Sequence, residues 1–154
     1  MAILNAPLRV GRYSNGDYNA IYNFASIINY SGSGSASYFH LKTDILYSTD
    51  DMVTIEAVGY HYRAAQAIRC MWSLYAYPAS APYNVGLVTI WPGMTAHGVY
   101  KSADGYMVLR GSSSTDFYFC QFVLNGYTNA QTGNARSNIS ILAWNVNTTA
   151  GNYY

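Results

Sequence analysis

The chain has 154 residues, which is enough for one domain with a sizeable core. Charged residues make up only 10% of it, and the formal net charge is +1, so the composition excludes the strong basic field of a nucleic-acid-binding protein. No apolar run reaches the length of a membrane span, which excludes a transmembrane helix. Tyrosine is abundant, with 17 residues, and its apolar ring with a polar tip suits packing against proteins or glycans.

The first 37 residues predict an N-terminal arm that ends in a linker. The stretch "ILNAPLRV" is apolar, contains a proline and has no regular period, which indicates an extended segment. Residues 17–30 fit both the spacing of a helix and the alternation of a strand, so the sequence leaves this segment undecided. "SGSGSAS" follows, with the composition of a flexible linker. We therefore expect an arm and Ser/Gly linker at 1–37 and a β-sandwich domain at 38–154.

From Tyr38 onward, apolar and polar residues alternate as they do in strands. "YFHLKTDIL" places Phe39, Leu41, Thr43 and Ile45 on one face. Similar patterns occupy residues 52–58, 67–77, 85–91, 116–124 and 138–146, and residues 98–110 form a predicted hairpin around Asp104-Gly105. About eight short strands separated by Gly, Asn and Ser are typical of an antiparallel β-sandwich, here jelly-roll-like.

Two of the predicted strands are apolar on both faces, at least in part, and residues 85–91 are among them. A strand of this kind needs cover on its second face, and a partner subunit is the simplest cover. Cys70 and Cys120 lie within predicted strands, so we expect buried free thiols in preference to a disulfide.

The sequence offers no credible catalytic or metal-binding set. His40, His61 and His97 lie on separate segments without the spacing of metal ligands. The adjacent carboxylates Asp50 and Asp51 fit a solvated turn, with a Ca²⁺ site as the alternative. With seven acidic residues in the chain, no carboxylate pair for glycoside hydrolysis stands out. We therefore predict a non-enzymatic protein without a metal or cofactor.

A set of aromatic residues remains without an assigned role. They are Tyr60, Tyr62, Tyr75, Tyr77 and Trp91. One interpretation places them in the core or in a contact between subunits. The other makes them a platform on which sugar rings stack. Their spacing does not separate the two interpretations.

The segments "YFHLKTDI", "VTIEAVGYHY" and "GVYKSADGYMVLR" resemble the β-sandwich heads of virion surface proteins of tailed phages, which occur in tail fibre tips and in attachment or decoration modules. The resemblance covers residues 38 to about 144 and consists of strand and turn patterns. It implies a head that trimerises, binds capsid or host surface, and has no catalytic residues. The chain departs from the fibre pattern because a short apolar arm, and no long shaft, precedes the head, which favours a capsid decoration (cement) protein.

These observations lead to one expectation and one alternative. We expect a homotrimeric structural protein on the outer surface of a virion, which stabilises the shell by binding the major capsid protein or another virion protein. The arm residues Ile3, Leu4, Leu8 and Val10 would provide the contact, because each fully buried aliphatic side chain stabilises by roughly 1.5–3 kcal/mol. The alternative is a receptor-binding tail fibre head that recognises a host surface glycan through the aromatic set. Neither function involves nucleic acid or a membrane.

Overall fold

The protein is an all-β antiparallel sandwich, as the sequence predicts. The computed structural model describes residues 8–10, 18–22, 27–32, 35–49, 51–77, 82–130 and 139–154. Within these ranges the chain forms eleven strands, arranged in two antiparallel sheets, and one short 3-10 turn at Tyr47–Thr49. No helix in the described ranges is long and apolar enough to cross a membrane.

The larger sheet has the strand order β1-β2-β10-β5-β6-β7, and β3 also pairs with β10. Its strands are β1 (Leu8–Val10), β2 (Tyr18–Tyr22), β3 (Ile27–Tyr30), β5 (Asp51–His61), β6 (Gln66–Ala76), β7 (Tyr83–Pro92) and β10 (Cys120–Ala130). One edge of β10 pairs with β5 along its whole length. The other edge is shared, with β3 at Cys120–Val123 and β2 at Thr128 and Asn129.

The smaller sheet has four strands in the order β11-β4-β9-β8. Its strands are β4 (Tyr38–Leu46), β8 (Thr95–Lys101), β9 (Tyr106–Ser112) and β11 (Ile141–Asn147). The β8–β9 hairpin turns at the predicted Asp104-Gly105 pair. Gly105 has a φ of 90°, a conformation that glycine adopts without steric cost.

The core lies between the two sheets and follows the predicted alternation. The four β4 residues on the predicted inner face are all fully buried. Trp72 of β6 is the largest fully buried side chain, and its indole N–H donates to the Arg110 carbonyl of β9 at 3.0 Å, which ties the sheets together. Cys70 and Cys120 are free and buried, which confirms that prediction.

The described parts of the undecided N-terminal segment are strands. β3 pairs with β10, and Ile28 is 1% exposed in the core, so the larger sheet extends across the predicted boundary between residues 37 and 38. The linker carries the chain from β3 in the larger sheet to β4 in the smaller one. Ala36 near its end is buried, and its carbonyl accepts a hydrogen bond from the Phe117 N–H at 2.8 Å.

The strand predicted for residues 116–124 begins later than expected. Phe119 has a positive φ of 47° and is exposed, while Phe117 is buried ahead of the strand. The carbonyl of Phe119 accepts a hydrogen bond from the Tyr62 N–H at 3.0 Å, outside the regular ladder. Regular pairing therefore starts at Cys120, and the predicted alternation of buried and exposed side chains is correct only from that residue onward.

Candidate functional site

The outer face of the larger sheet is exposed and rich in apolar side chains. In β5 and β6 the residues that alternate with the core set point outward, and the ladders with β7 and β10 place their outward residues beside them. The large hydrophobic residues exposed on this surface are Met52, Tyr60, Tyr83, Val88, Trp91 and Val123. We call the outer surface of β10, β5, β6 and β7 the apolar face.

Two pairs of polar side chains on the apolar face are engaged with one another. Glu56 and Arg69 are the charged residues at the outward positions of these four strands, and the Arg69 Nε donates to the Glu56 carboxylate at 2.6 Å. The Arg69 guanidinium also lies 5.5 Å from the centre of the Trp91 ring. Beside them, the hydroxyls of Thr54 and Ser73 lie 3.0 Å apart. The face therefore has no net charge, and these two polar pairs stay hydrogen-bonded when water is removed, whereas Oδ1 of Asn125, an outward residue of β10, has no hydrogen-bond partner among the described residues.

β7 projects beyond the rest of the sandwich. All ten of its residues are exposed, and among the described strands it pairs with β6 alone. On its inner side, Leu87 lies opposite the buried Trp72 yet is 42% exposed. Nearer the turn into β8, the Thr89 hydroxyl accepts a hydrogen bond from the Ala96 N–H of the smaller sheet at 3.2 Å. We call this strand the β7 overhang. A long uncharged edge strand is typical of a surface that meets another chain.

The predicted aromatic set forms two groups instead of one. Tyr60 and Trp91 lie at one end of the apolar face, and Tyr62 lies in the turn beyond, 6.0 Å from the Phe119 ring. β5 and β6 run antiparallel, so Tyr75 near the end of β6 lies at the opposite end of the sheet, roughly 20 Å from the level of Trp91 at about 3.3 Å per residue.

At that opposite end, three tyrosines form a cluster that includes one residue the sequence analysis missed. The Tyr75 and Tyr77 rings stack with centroids 5.7 Å apart, and Tyr83 lies 6.1 Å from Tyr77. Val88 and Leu87 were also missed as individual sites. The signal for Leu87 and Val88 was present, since residues 85–91 were predicted to be apolar on both faces, whereas Tyr83 lies outside that range.

The outer face of the smaller sheet is covered by residues 148–154, which we call the C-terminal strap. The hydroxyl of Tyr100 accepts hydrogen bonds from the N–H groups of Tyr153, at 3.1 Å, and Tyr154, at 3.4 Å. Its own hydrogen is thus left to donate to Nδ1 of His40 at 3.0 Å. The His40 Nε2–H then donates to the Thr149 carbonyl at 3.3 Å. This arrangement requires a neutral imidazole, and burial lowers the pKa of His40 accordingly.

Charged residues under and beside the strap also have partners. Lys42 donates to Asp104 at 2.6 Å, and this hydrogen bond lowers the pKa of the Asp104 carboxyl. Arg110 donates to the Ala150 carbonyl of the strap and to His97, the latter at 3.0 Å. The smaller sheet thus has a polar outer face that the chain itself covers.

The remaining candidate residues have structural surroundings. His61 is fully buried, with its ring nitrogens 3.0 Å from the carbonyls of Gly93 and Asp116. In the described part of the chain, no three His, Cys, Asp or Glu residues are placed to hold a metal ion. Asp51 begins β5 and is 1% exposed, so the expectation of a solvated turn is wrong for this residue, and Asp50 lies outside the described ranges.

Of the four predicted arm residues, the structure describes two. Leu8 and Val10 lie in β1, where their backbone pairs with Tyr22 and Ala20 of β2, while Ile3 and Leu4 lie outside the described residues.

Comparison with protein-family models, with curated proteins and with solved structures finds no match to this chain. The two outer faces and the sheet edges are therefore the features from which a function can be argued.

Proposed function

We propose that this chain is a non-enzymatic structural protein of a tailed-phage virion, a homotrimeric capsid decoration protein that stabilises the shell from its outer surface. The observation that carries the proposal is the apolar face, which is broad, has no net charge and is left uncovered by the described parts of the chain. Contiguous apolar surfaces of this kind mark contacts with other proteins. The resemblance of residues 38 to about 144 to virion head domains supplies the setting.

In this proposal the capsid binds at the β1 edge of the larger sheet. β1 is the last strand at that end of the strand order, and a strand of the major capsid protein can add to such an edge through main-chain hydrogen bonds. The β1–β2 hairpin pairs with β10 at only Thr128 and Asn129. Leu8 and Val10 already have backbone partners in their own chain, so the arm supports the proposal less strongly than the apolar face does.

A truncation tests the proposal. Removal of residues 1–12 deletes β1 and all four predicted arm residues but keeps β3, whereas removal of residues 1–30 would also take Ile28 from the core. We expect the truncated chain to stay folded and to stop co-sedimenting with purified capsids of the phage that encodes it. The full-length chain and its Leu142→Ser variant, changed at an exposed position of β11, are the controls and should bind. The proposal would be overturned if the full-length chain did not co-sediment with capsids, or if the truncated chain bound them equally well.

The second candidate function is glycan recognition by a tail fibre head. The observation in its favour is the cluster of Tyr75, Tyr77 and Tyr83, whose neighbouring rings lie 5.7 and 6.1 Å apart and can stack on sugar rings. A glycan array distinguishes the candidates. Binding that is lost in Tyr77→Ala and kept in Tyr62→Ala, an exposed tyrosine at the other end of the sheet, favours the fibre head. An array without any signal rules this second candidate out.

A further inference from the structure

We propose that copies of this chain associate by packing the β7 overhang of one copy onto the apolar face of the next, around a three-fold axis. The inference rests on the proposed trimeric virion protein and adds the two surfaces that would hold the trimer together. The partner that binds the apolar face in this proposal is a further copy of the same chain, and three properties of the two surfaces favour that partner.

The first property is size. Four adjacent strands about 4.8 Å apart, each about ten residues long at about 3.3 Å per residue, cover roughly 600 Å² in flat projection. Side-chain relief adds to this area. A standard stable interface needs about 800 Å² from each partner. The apolar face that one copy offers is therefore close to the size of a standard interface, and the overhang of the next copy, which is exposed on both sides of β7, is the surface set against it.

The second property is charge. Glu56 and Arg69 neutralise each other within the apolar face at 2.6 Å, and the β7 sequence "YNVGLVTIWP" contains no charged residue. A strongly acidic or basic partner would find no complementary charge here. A further copy of the chain brings an equally neutral surface, so like charges do not oppose each other in the contact.

The third property is the difference between the two surfaces. A two-fold contact between two apolar faces would cover Val88 and Trp91 but would leave Leu87, on the inner side of β7, in water. If the overhang of one copy packs onto the face of the next, both sides of β7 gain neighbours. Such a contact joins two different surfaces and is therefore heterologous. A heterologous contact forms a ring when its rotation closes, and the ring proposed here has three copies, the smallest number that can close.

The contact uses side chains in preference to strand addition. The β6–β7 ladder has register shifts between Arg69 and Cys70 and between Ser73 and Tyr75, and Asn84 has a positive φ of 49°. Irregularities of this kind bend and twist an edge strand, which opposes edge-to-edge pairing. The free edge of β7 is thus poorly shaped to extend the sheet into a neighbour but remains able to lie across a flat apolar surface.

Size-exclusion chromatography with light scattering tests the inference on the full chain. We expect three times the 17.0 kDa chain mass at micromolar concentration. Val88→Glu on the outer side of β7 and Leu87→Glu on its inner side should each give a monomer, because each buries an unpaired carboxylate in the contact. Leu142→Glu, at a residue 51% exposed on β11, is the matched control and should stay trimeric. Both β7 positions are exposed within one copy, so circular dichroism should show a folded monomer.

Each alternative result has a defined meaning. A monomeric wild-type chain, or a trimer that survives both β7 variants, overturns the inference. A dimer that is broken by Val88→Glu and unaffected by Leu87→Glu also overturns it, since that is the two-fold contact between faces. Should a variant unfold, hydrogen exchange on the wild-type chain decides: β7 amides must lose protection on dilution. A trimer that fails to co-sediment with capsids overturns the proposed function and leaves this inference standing.

Discussion

The two sheets of the sandwich have opposite outer faces. The smaller sheet carries His40, Lys42 and Arg110 on its outer side, and the chain covers them with its own C-terminal strap. The larger sheet carries apolar and aromatic residues on its outer side and receives no such cover from the residues that the structure describes. The strap provides partners for these polar groups of the smaller sheet, whereas the described residues leave the apolar face exposed, and burial of that face would be favourable by roughly 25 cal/mol per Å². The contrast is the reason why we place the proposed contacts between copies on the larger sheet.

The largest effect should be a difference in the free energy of unfolding between substitutions on the inner and the outer face of β6. Trp72→Ala removes a fully buried indole and its hydrogen bond to the smaller sheet, so we expect the free energy of unfolding to fall by about 3–5 kcal/mol. Its neighbour Met71 points to the apolar face and is partly exposed, and Met71→Ala should cost about 1 kcal/mol or less. Urea unfolding at low protein concentration measures both. Equal losses would mean that the apolar face is not an outer face.

The next largest effect should come from a variant that loosens the C-terminal strap on the smaller sheet. Tyr100→Phe removes the hydroxyl that holds His40 and two strap amides, and the unsatisfied groups should cost about 1–3 kcal/mol. Hydrogen exchange at Tyr153 and Tyr154 should accelerate in the variant. Tyr106→Phe, on the same sheet, is the control and should leave the exchange of the strap unchanged. An unchanged strap in Tyr100→Phe would show that the hydroxyl does not hold it.

A smaller effect should appear with pH. Burial lowers the pKa of His40 from its usual 6.5, and burial together with Arg110 lowers that of His97. The unfolded chain therefore binds these protons at a higher pH than the folded chain. The contribution of these two histidines to the free energy of unfolding is complete above about pH 6.5 and is lost as the pH falls through their lowered pKa values in the folded chain. Unfolding free energies between pH 7.5 and 5 measure the loss, and His40→Gln should flatten the curve. A curve of the same slope in this variant would contradict the assignment.

The smallest effect concerns the one ion pair of the apolar face. Glu56→Gln and Arg69→Gln, alone and together, should give a coupling free energy of about 0.2–1 kcal/mol in the monomer, because both side chains are partly exposed. Added salt should reduce it. In the proposed trimer a neighbour would cover the pair, so its coupling free energy should rise and lose its dependence on salt. Equal coupling in the monomer and the assembly would contradict coverage of this face.

Local patterns in the sequence predicted much of the sandwich. β4 has the predicted bounds, and its alternation identified the buried residues, because a strand with one face in the core must alternate with a period of two. The β8–β9 turn was predictable from Asp104-Gly105, since Gly105 adopts a positive φ. The apolar residues of β7 also indicated a surface in need of cover. Each of these signals is contained in ten or fewer consecutive residues.

Features that depend on distant pairing could not be predicted in this way. β3 belongs to the larger sheet because it pairs with β10 about ninety residues away, and nothing in residues 27–30 alone specifies that partner. The aromatic set was expected in one place, but antiparallel pairing carries Tyr60 and Tyr75 to opposite ends of the sheet. The strap was missed because its contacts with His40 and Tyr100 involve backbone groups, which every residue possesses.

The two sulfur atoms buried in the sandwich have a practical consequence. Burial raises the pKa of the Cys120 thiol to about 12 and raises that of Cys70 as well, so at neutral pH both remain protonated and shielded from water. Maleimides and iodoacetamides react with the thiolate, and the chain has two cysteines in all. A cysteine introduced at the exposed Ser114 would therefore take a fluorescent dye selectively, with the native cysteines left in place.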